Sequence, residues 1–226
     1  MMNNLFSMFD PSTNLMNIPF NWLSSMLGIL FLPMTFWFIP NRHFMLWNYI
    51  NMKIKLEFKT LLNHNNKNIS PILLFISMFY FICFNNFLGL FPYIFTSTSH
   101  IILSLSITLT LWLSYMIFGW FNNTNHMFAH MIPQGTPTIL MPFMMLIETI
   151  SNIIRPLTLA IRLMANMIAG HLILSLLSSN GINLSNYLIM FLIIIQIILF
   201  CLESAVAIIQ AYVISVLNLL YYNESN

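Results

Sequence analysis

Residues Thr138–Ser178 read TILMPFMMLIETISNIIRPLTLAIRLMANMIAGHLILSLLS, an apolar block broken by three charges: Glu148, Arg155 and Arg162. A continuous helix of this length would reach ~60 Å at 1.5 Å per residue, against a hydrocarbon core of ~30 Å. Such a helix must tilt by roughly 60° or break, and Pro142, Pro156 and Gly170 offer places to bend. The second long block, Ser185–Tyr222, poses the same problem and holds the one other charge found inside an apolar run, Glu203. The polar stretch SNGIN separates the two. They are read as two long, strongly tilted helices forming a hairpin, with four short pieces as the rival.

Charge at that depth is costly. An Arg or Glu near a bilayer centre costs from ~2.5 to more than ~10 kcal/mol. Leu or Ile would serve folding better, so the default implication is a path for ions or protons. Helical spacing sorts the residues. Glu148, Arg155 and Arg162 stand seven apart and share a stripe, and Asn166 stays near that face. His171, nine beyond Arg162, points to the opposite face of an unbroken helix. On the last block Gln196, Glu203 and Gln210 are again seven apart. Small residues accompany both stripes and permit close approach of another helix: Ala160, Ala165, Ala169 and Gly170 on one, Ser204, Ala205, Ala207 and Ala211 on the other. Arg162 cannot lose its proton and so cannot relay one. A permanent cation between titratable groups suits a gate between two half-paths better than a simple water pore. Buried ion pairs that only fix packing are the plainer alternative.

Composition agrees with a membrane setting. Of 226 residues 59% are hydrophobic and 5% charged, with a mean hydropathy of +0.83, whereas soluble domains carry roughly 25% charged residues. The apolar runs lack the alternation of barrel strands, so an all-α integral membrane protein is expected. A net charge of +2 is too small to suggest nucleic acid. Cys83 and Cys201 each sit alone in an apolar run and read as small core residues. The start, MMNNLFSMFD, carries neither a basic signal-peptide region nor an Arg-rich transit pattern, and no cleavable presequence is expected.

The remaining chain divides into a first apolar block at residues 20–40, with Trp22 and Trp37 near its ends, and a basic segment at 41–68. That segment holds Arg42, Lys53, Lys55, Lys59 and Lys67 against Glu57 alone. Phe44, Trp47, Ile50, Ile54 and Phe58 recur there at helical spacing, which predicts a helix lying on the membrane surface. Positive charge directs this segment to the matrix or cytoplasmic side. Spans at 71–95 and 100–121, linked by Thr96–Ser99, form a second hairpin, and Asn122–Pro137 reads as a turn-rich loop. About five membrane-embedded helices plus one surface helix result, in a single membrane domain. The N-terminus then lies outside and the C-terminus on the matrix side.

Other polar residues favour plain explanations. Asn85 and Asn86 suit interhelical packing, and His126 and His130 suit a solvated pair with no third metal ligand. No phosphate loop, G-x-S-x-G, CxxC or paired intramembrane His is present, so no cofactor or metal is expected and nucleotide chemistry belongs to a partner.

Two stretches, MIPQGTPTILMPFMMLIETISNIIRPLTLAIRLMANMIAGHLI and LESAVAIIQAYVISVLNLLYY, within Met131–Tyr222, resemble the membrane stator subunit of mitochondrial F-type ATP synthases, the subunit a family. The resemblance implies that Arg162 is the essential arginine facing the carboxylates of a rotating c-ring. It further implies that His171 and Glu203 form the intermembrane-space entry for protons, with Glu148 at the matrix exit and Gln210 beside Arg162. Bacterial members exchange the Glu and His between the two helices, which supports a working pair. Arg155 departs from many animal members, which have Gln there, and its pairing with Glu148 is the role left open. Implied partners are the c-ring, the peripheral-stalk subunit b, other F0 subunits and lipid, in the mitochondrial inner membrane. A hydrophobic subunit of a respiratory oxidoreductase and a stand-alone cation channel are the competing functions.

Overall fold

The computed structural model describes residues 5–13, 18–33, 38–62, 70–132, 137, 139–181 and 185–225, and among these every regular element is helical. Short 3-10 helices form at Leu5–Phe9, Phe20–Phe31 and Ser97–Ser99. The α-helices are α1 (Arg42–Leu61), α2 (Ser70–Gly89), α3 (Ile101–Asn122), α4 (Thr124–His130), α5 (Met141–Asn180) and α6 (Asn186–Ser225). Trp37, Lys67 and residues 133–136 of the expected loop lie outside the described residues.

The long apolar blocks fold as two helices of 40 residues each, not as four pieces. Pro142 falls in the first turn of α5, where the missing amide has no helical partner to lose, so it starts the helix instead of bending it. Pro156 sits inside α5 and is buried. Membrane helices carry such a proline because neighbouring helices and local adjustments satisfy the freed carbonyl. α5 also runs on through Gly170. Hydrophobic association is weak between helices in lipid, so close packing must hold them together. Ala160, Ala207 and Ala211, all 0–1% exposed, mark where backbones come close.

Four helices are long and apolar enough to cross a membrane: Pro71–Gly89, Ile101–Asn122, Met141–Asn180 and Tyr187–Ser225. α6 packs chiefly on α2, and α5 on α3. Phe79 and Ile82 of α2, Leu159 and Leu163 of α5, and Ala211 and Ile214 of α6 close a common core. Asn86, wholly buried, donates from Nδ2 to the carbonyl of Ala207 (3.4 Å) and ties α2 to α6. The first apolar block is 3-10 helical over Phe20–Phe31 and lies along α2, with Trp22 on Phe95 and Phe31 on Phe84.

Three expectations need adjustment. α2 stops at Gly89, six residues short of the expected end of its span, because Pro92 removes an amide and disfavours helix at the residue before it. The link to α3 is correspondingly longer and includes Tyr93 at φ 68°, exposed and left-handed. Within the expected loop, Thr124–His130 forms α4, which lets Met127 pack against Gly119 of α3. On α1 the covered stripe is Phe44, Trp47, Asn51, Ile54 and Phe58; Ile50 is exposed, because the spacing of three and four residues passes through Asn51 instead. Phe58 is fully buried in a cluster with Ile72, Phe75 and Leu219, so α1 docks at the start of α2 and the end of α6.

Candidate functional site

α5 and α6 run antiparallel, and besides their shared core they meet through polar side chains at three levels. Gln210 of α6 donates from Nε2 to the carbonyl of Arg162 (3.4 Å). Glu203 packs on Gly170, where a Cβ would lie 2.7 Å from Oε1. Arg155 reaches Glu224 near the end of α6 (3.7 Å). The third contact escaped the sequence reading, because Glu224 stands in the polar tail beyond the apolar block and no spacing tied it to α5.

The face of α5 that carries Arg162 is turned outward. Arg162 and Asn166 are exposed, as are Ala165 and Ala169 beside them, and Arg162 forms no ion pair among the described residues. Gln210 therefore holds the backbone beneath Arg162 and leaves the guanidinium free to meet something outside the chain. The seven-residue spacing suggested one continuous stripe toward α6, but the ~20° drift per step divides it.

Arg155 also sits 3.5 Å from Glu148, as their spacing allows, and over the ring of Tyr221 at 5.9 Å. Arg155 thus joins two carboxylates, one from each long helix, at one end of the bundle. All three side chains keep between a quarter and a half of their surface exposed. Exposed pairs of this kind contribute ~0–1 kcal/mol, so their value is geometric more than energetic.

At the other end His171 is buried on the face opposite Arg162, as its nine-residue offset predicts. Its Nε2, Oε2 of Glu203 and Oε1 of Gln210 are buried atoms without a hydrogen-bond partner among the described residues. An unsatisfied buried group costs about 1–3 kcal/mol, so polar atoms kept this way suit groups that bond transiently. His171 lines a cavity of about 1230 Å³ together with Phe9, Asp10, Asn21, Ser175 and Gln196. Asp10 at this cavity is fully exposed, and the Ser12 backbone amide donating to Oδ1 (3.0 Å) holds its carboxyl below the usual value.

The remaining candidates have structural surroundings. Asn85 and Asn86 are both buried in α2. The rings of His126 and His130 lie 6.3 Å apart on α4, and no group of three His, Cys, Asp or Glu among the described residues could hold a metal ion. Cys83 is half-buried as expected, but Cys201 is exposed, on the outward side of α6 rather than in the core.

Fold and site together define a multi-pass membrane protein whose long helix pair presents an exposed arginine outward and keeps titratable groups within. The chain belongs to the subunit a family of F-type ATP synthases and so to the multisubunit F0 complex: the family model described as the ATP synthase A chain matches residues 18–223. Proteins named ATP synthase subunit a are similar along essentially the whole of both chains. That of Anopheles quadrimaculatus is 60% identical over 227 residues, covering 100% of each chain. That of Locusta migratoria is 60% identical over 224 residues, covering 99% of each. That of Drosophila melanogaster is 58% identical over 226 residues, covering 100% of each.

Proposed function

We propose that this chain is the proton-translocating stator of a mitochondrial ATP synthase, forming two offset half-channels that load and unload the carboxylates of a c-ring. The observation that carries the reading is Arg162: an exposed cation without an ion-pair partner among the described residues, midway along a helix built for lipid. Its cost there demands a counter-charge from outside the chain, and a carboxylate on a neighbouring rotor helix supplies one. Ala165 and Ala169 on the same face would let that helix come close.

Protons enter from the intermembrane space past His171 and Glu203 and neutralise a rotor carboxylate. The neutral site can face lipid, so the ring turns and brings it to the matrix half-channel at Glu148. Arg155 holds Glu148 in place there, together with Glu224. Arg162 favours the ionised carboxylate as it passes, and its fixed charge bars direct leakage between the half-channels. Asn166 and Gln210 set the surroundings of Arg162. One charge crossing 100 mV yields ~2.3 kcal/mol, so several protons must pass for each ATP. The basic helix α1 faces the matrix, the C-terminus lies on the same side, and the first apolar block completes five crossings. Subunit b and other F0 subunits hold the chain against the ring.

Arg162→Ala in the intact complex is the test. Assembly should persist while ATP-coupled proton transport is abolished; retained coupling overturns the assignment.

A further inference from the structure

The cavity in front of His171 is closed on one side by the N-terminal segment, whose Phe9 and Asp10 line it. Phe9 meets His171 edge-on, with centroids 6.4 Å apart and planes at 79°. Its backbone carbonyl accepts a hydrogen bond from Nε2 of His100 at the start of α3 (2.9 Å). One residue on, the carbonyl of Asp10 accepts from Nδ2 of Asn21 (3.2 Å). His100 is fixed in turn between rings, 5.4 Å from Trp22 and 5.1 Å from Phe95. Ser24 closes the set by donating to the carbonyl of Phe95 (3.0 Å).

Each link restrains the next. Nε2 of His171 has no hydrogen-bond partner among the described residues, so that nitrogen does nothing to orient the ring. Edge-to-face aromatic contact has a preferred geometry, and the contact with Phe9 restrains the ring where Nε2 does not. Orientation matters because a group passing a proton must come within hydrogen-bond reach of its donor and acceptor.

We propose that Phe9 and His100 are positioning residues for proton entry: Phe9 sets the His171 ring at the floor of the cavity, and His100 sets Phe9 through its carbonyl. The proposal rests on the entry role of His171 given above.

The test uses the intact complex in its membrane, with assembly checked for every variant. Phe9→Ala should lower proton-driven ATP synthesis by about ten-fold or more, as small misplacements of reacting groups do, while Phe9→Tyr, which keeps the ring, should stay close to wild type. His100→Ala should cause a loss of the same kind. His100→Gln, which retains an N–H donor, should restore most of the rate. Wild-type rates in assembled Phe9→Ala or His100→Ala overturn the proposal, as does a His100→Gln variant no better than His100→Ala. If Phe9→Ala does not assemble, the two His100 variants decide the matter. His171→Ala separates the two levels. An unimpaired His171→Ala complex removes the entry reading itself, whereas a dead one beside unimpaired Phe9 and His100 variants removes the positioning alone.

Discussion

At the scale of single residues, what mattered most was the direction in which each polar group points. Spacing alone put Arg162 and His171 on opposite faces, and the structure has Arg162 exposed and His171 buried. Charge inside an apolar run is rare and helical geometry is rigid, so these positions were legible. Gly170 was legible only in part: its size suggested close approach of another helix, but nothing local shows that Glu203, 33 positions on, is the side chain that comes close. A Cβ there would meet the carboxyl of Glu203, with Oε1 at 2.7 Å and Cδ at 2.9 Å. Those atoms end a flexible side chain, so Gly170→Ala should shift the carboxylate without unfolding the helix. The expected result is full assembly with proton-driven synthesis reduced about ten-fold or more, measured in isolated membranes. Normal synthesis would show that the carboxylate has no need of its present position.

At the scale of elements, lengths and types were readable wherever composition was extreme. The two 40-residue helices followed from long apolar runs that carry only a few charges, and α1 followed from its stripe. Short elements set by local contacts were not readable. α4 forms within a stretch rich in turn residues because Met127 finds Gly119, a contact that no local pattern announces. The pairing of α6 with α2 was also hidden, since α2 is apolar nearly all round and the polar stripe of α6 marks only its contact with α5. Asn86 is the polar clasp in that pairing. Interhelical hydrogen bonds in membranes average ~0.6 kcal/mol and reach ~1.7 kcal/mol. Asn86→Leu should therefore lower the stability of the complex by about that amount, and by more where the larger apolar side chain strains the contact. Thermal unfolding of the purified complex measures it, and an unchanged midpoint would leave the hydrogen bond without energetic weight.

At the scale of the whole molecule, the chain brings one set of titratable groups to each end of the bundle and an exposed arginine to its flank. Glu148, Arg155 and Glu224 gather at the end where α1 docks, and His171 and the N-terminal segment meet at the other. On the proposed reading neither end connects to the other within the chain, because the route passes over the outer face at Arg162. Reconstituted alone in vesicles, the chain should show negligible proton conductance, and substantial conductance would favour a stand-alone channel. Sequence made the class of molecule plain through its lack of charge. It withheld the pairing of helices, the N-terminal closure over His171 and the share of Glu224 in the ion cluster, all of which depend on contacts between distant parts of an apolar chain.

The contact between Gly170 and Glu203 has a genetic consequence. Every glycine codon begins with two guanines, and any base change at either of them installs a residue with a Cβ or a stop. Position 170 therefore has only silent third-base freedom before the carboxylate of Glu203 is disturbed. Its lesions should present as complexes of normal abundance with impaired proton use, a pattern that protein levels alone would miss.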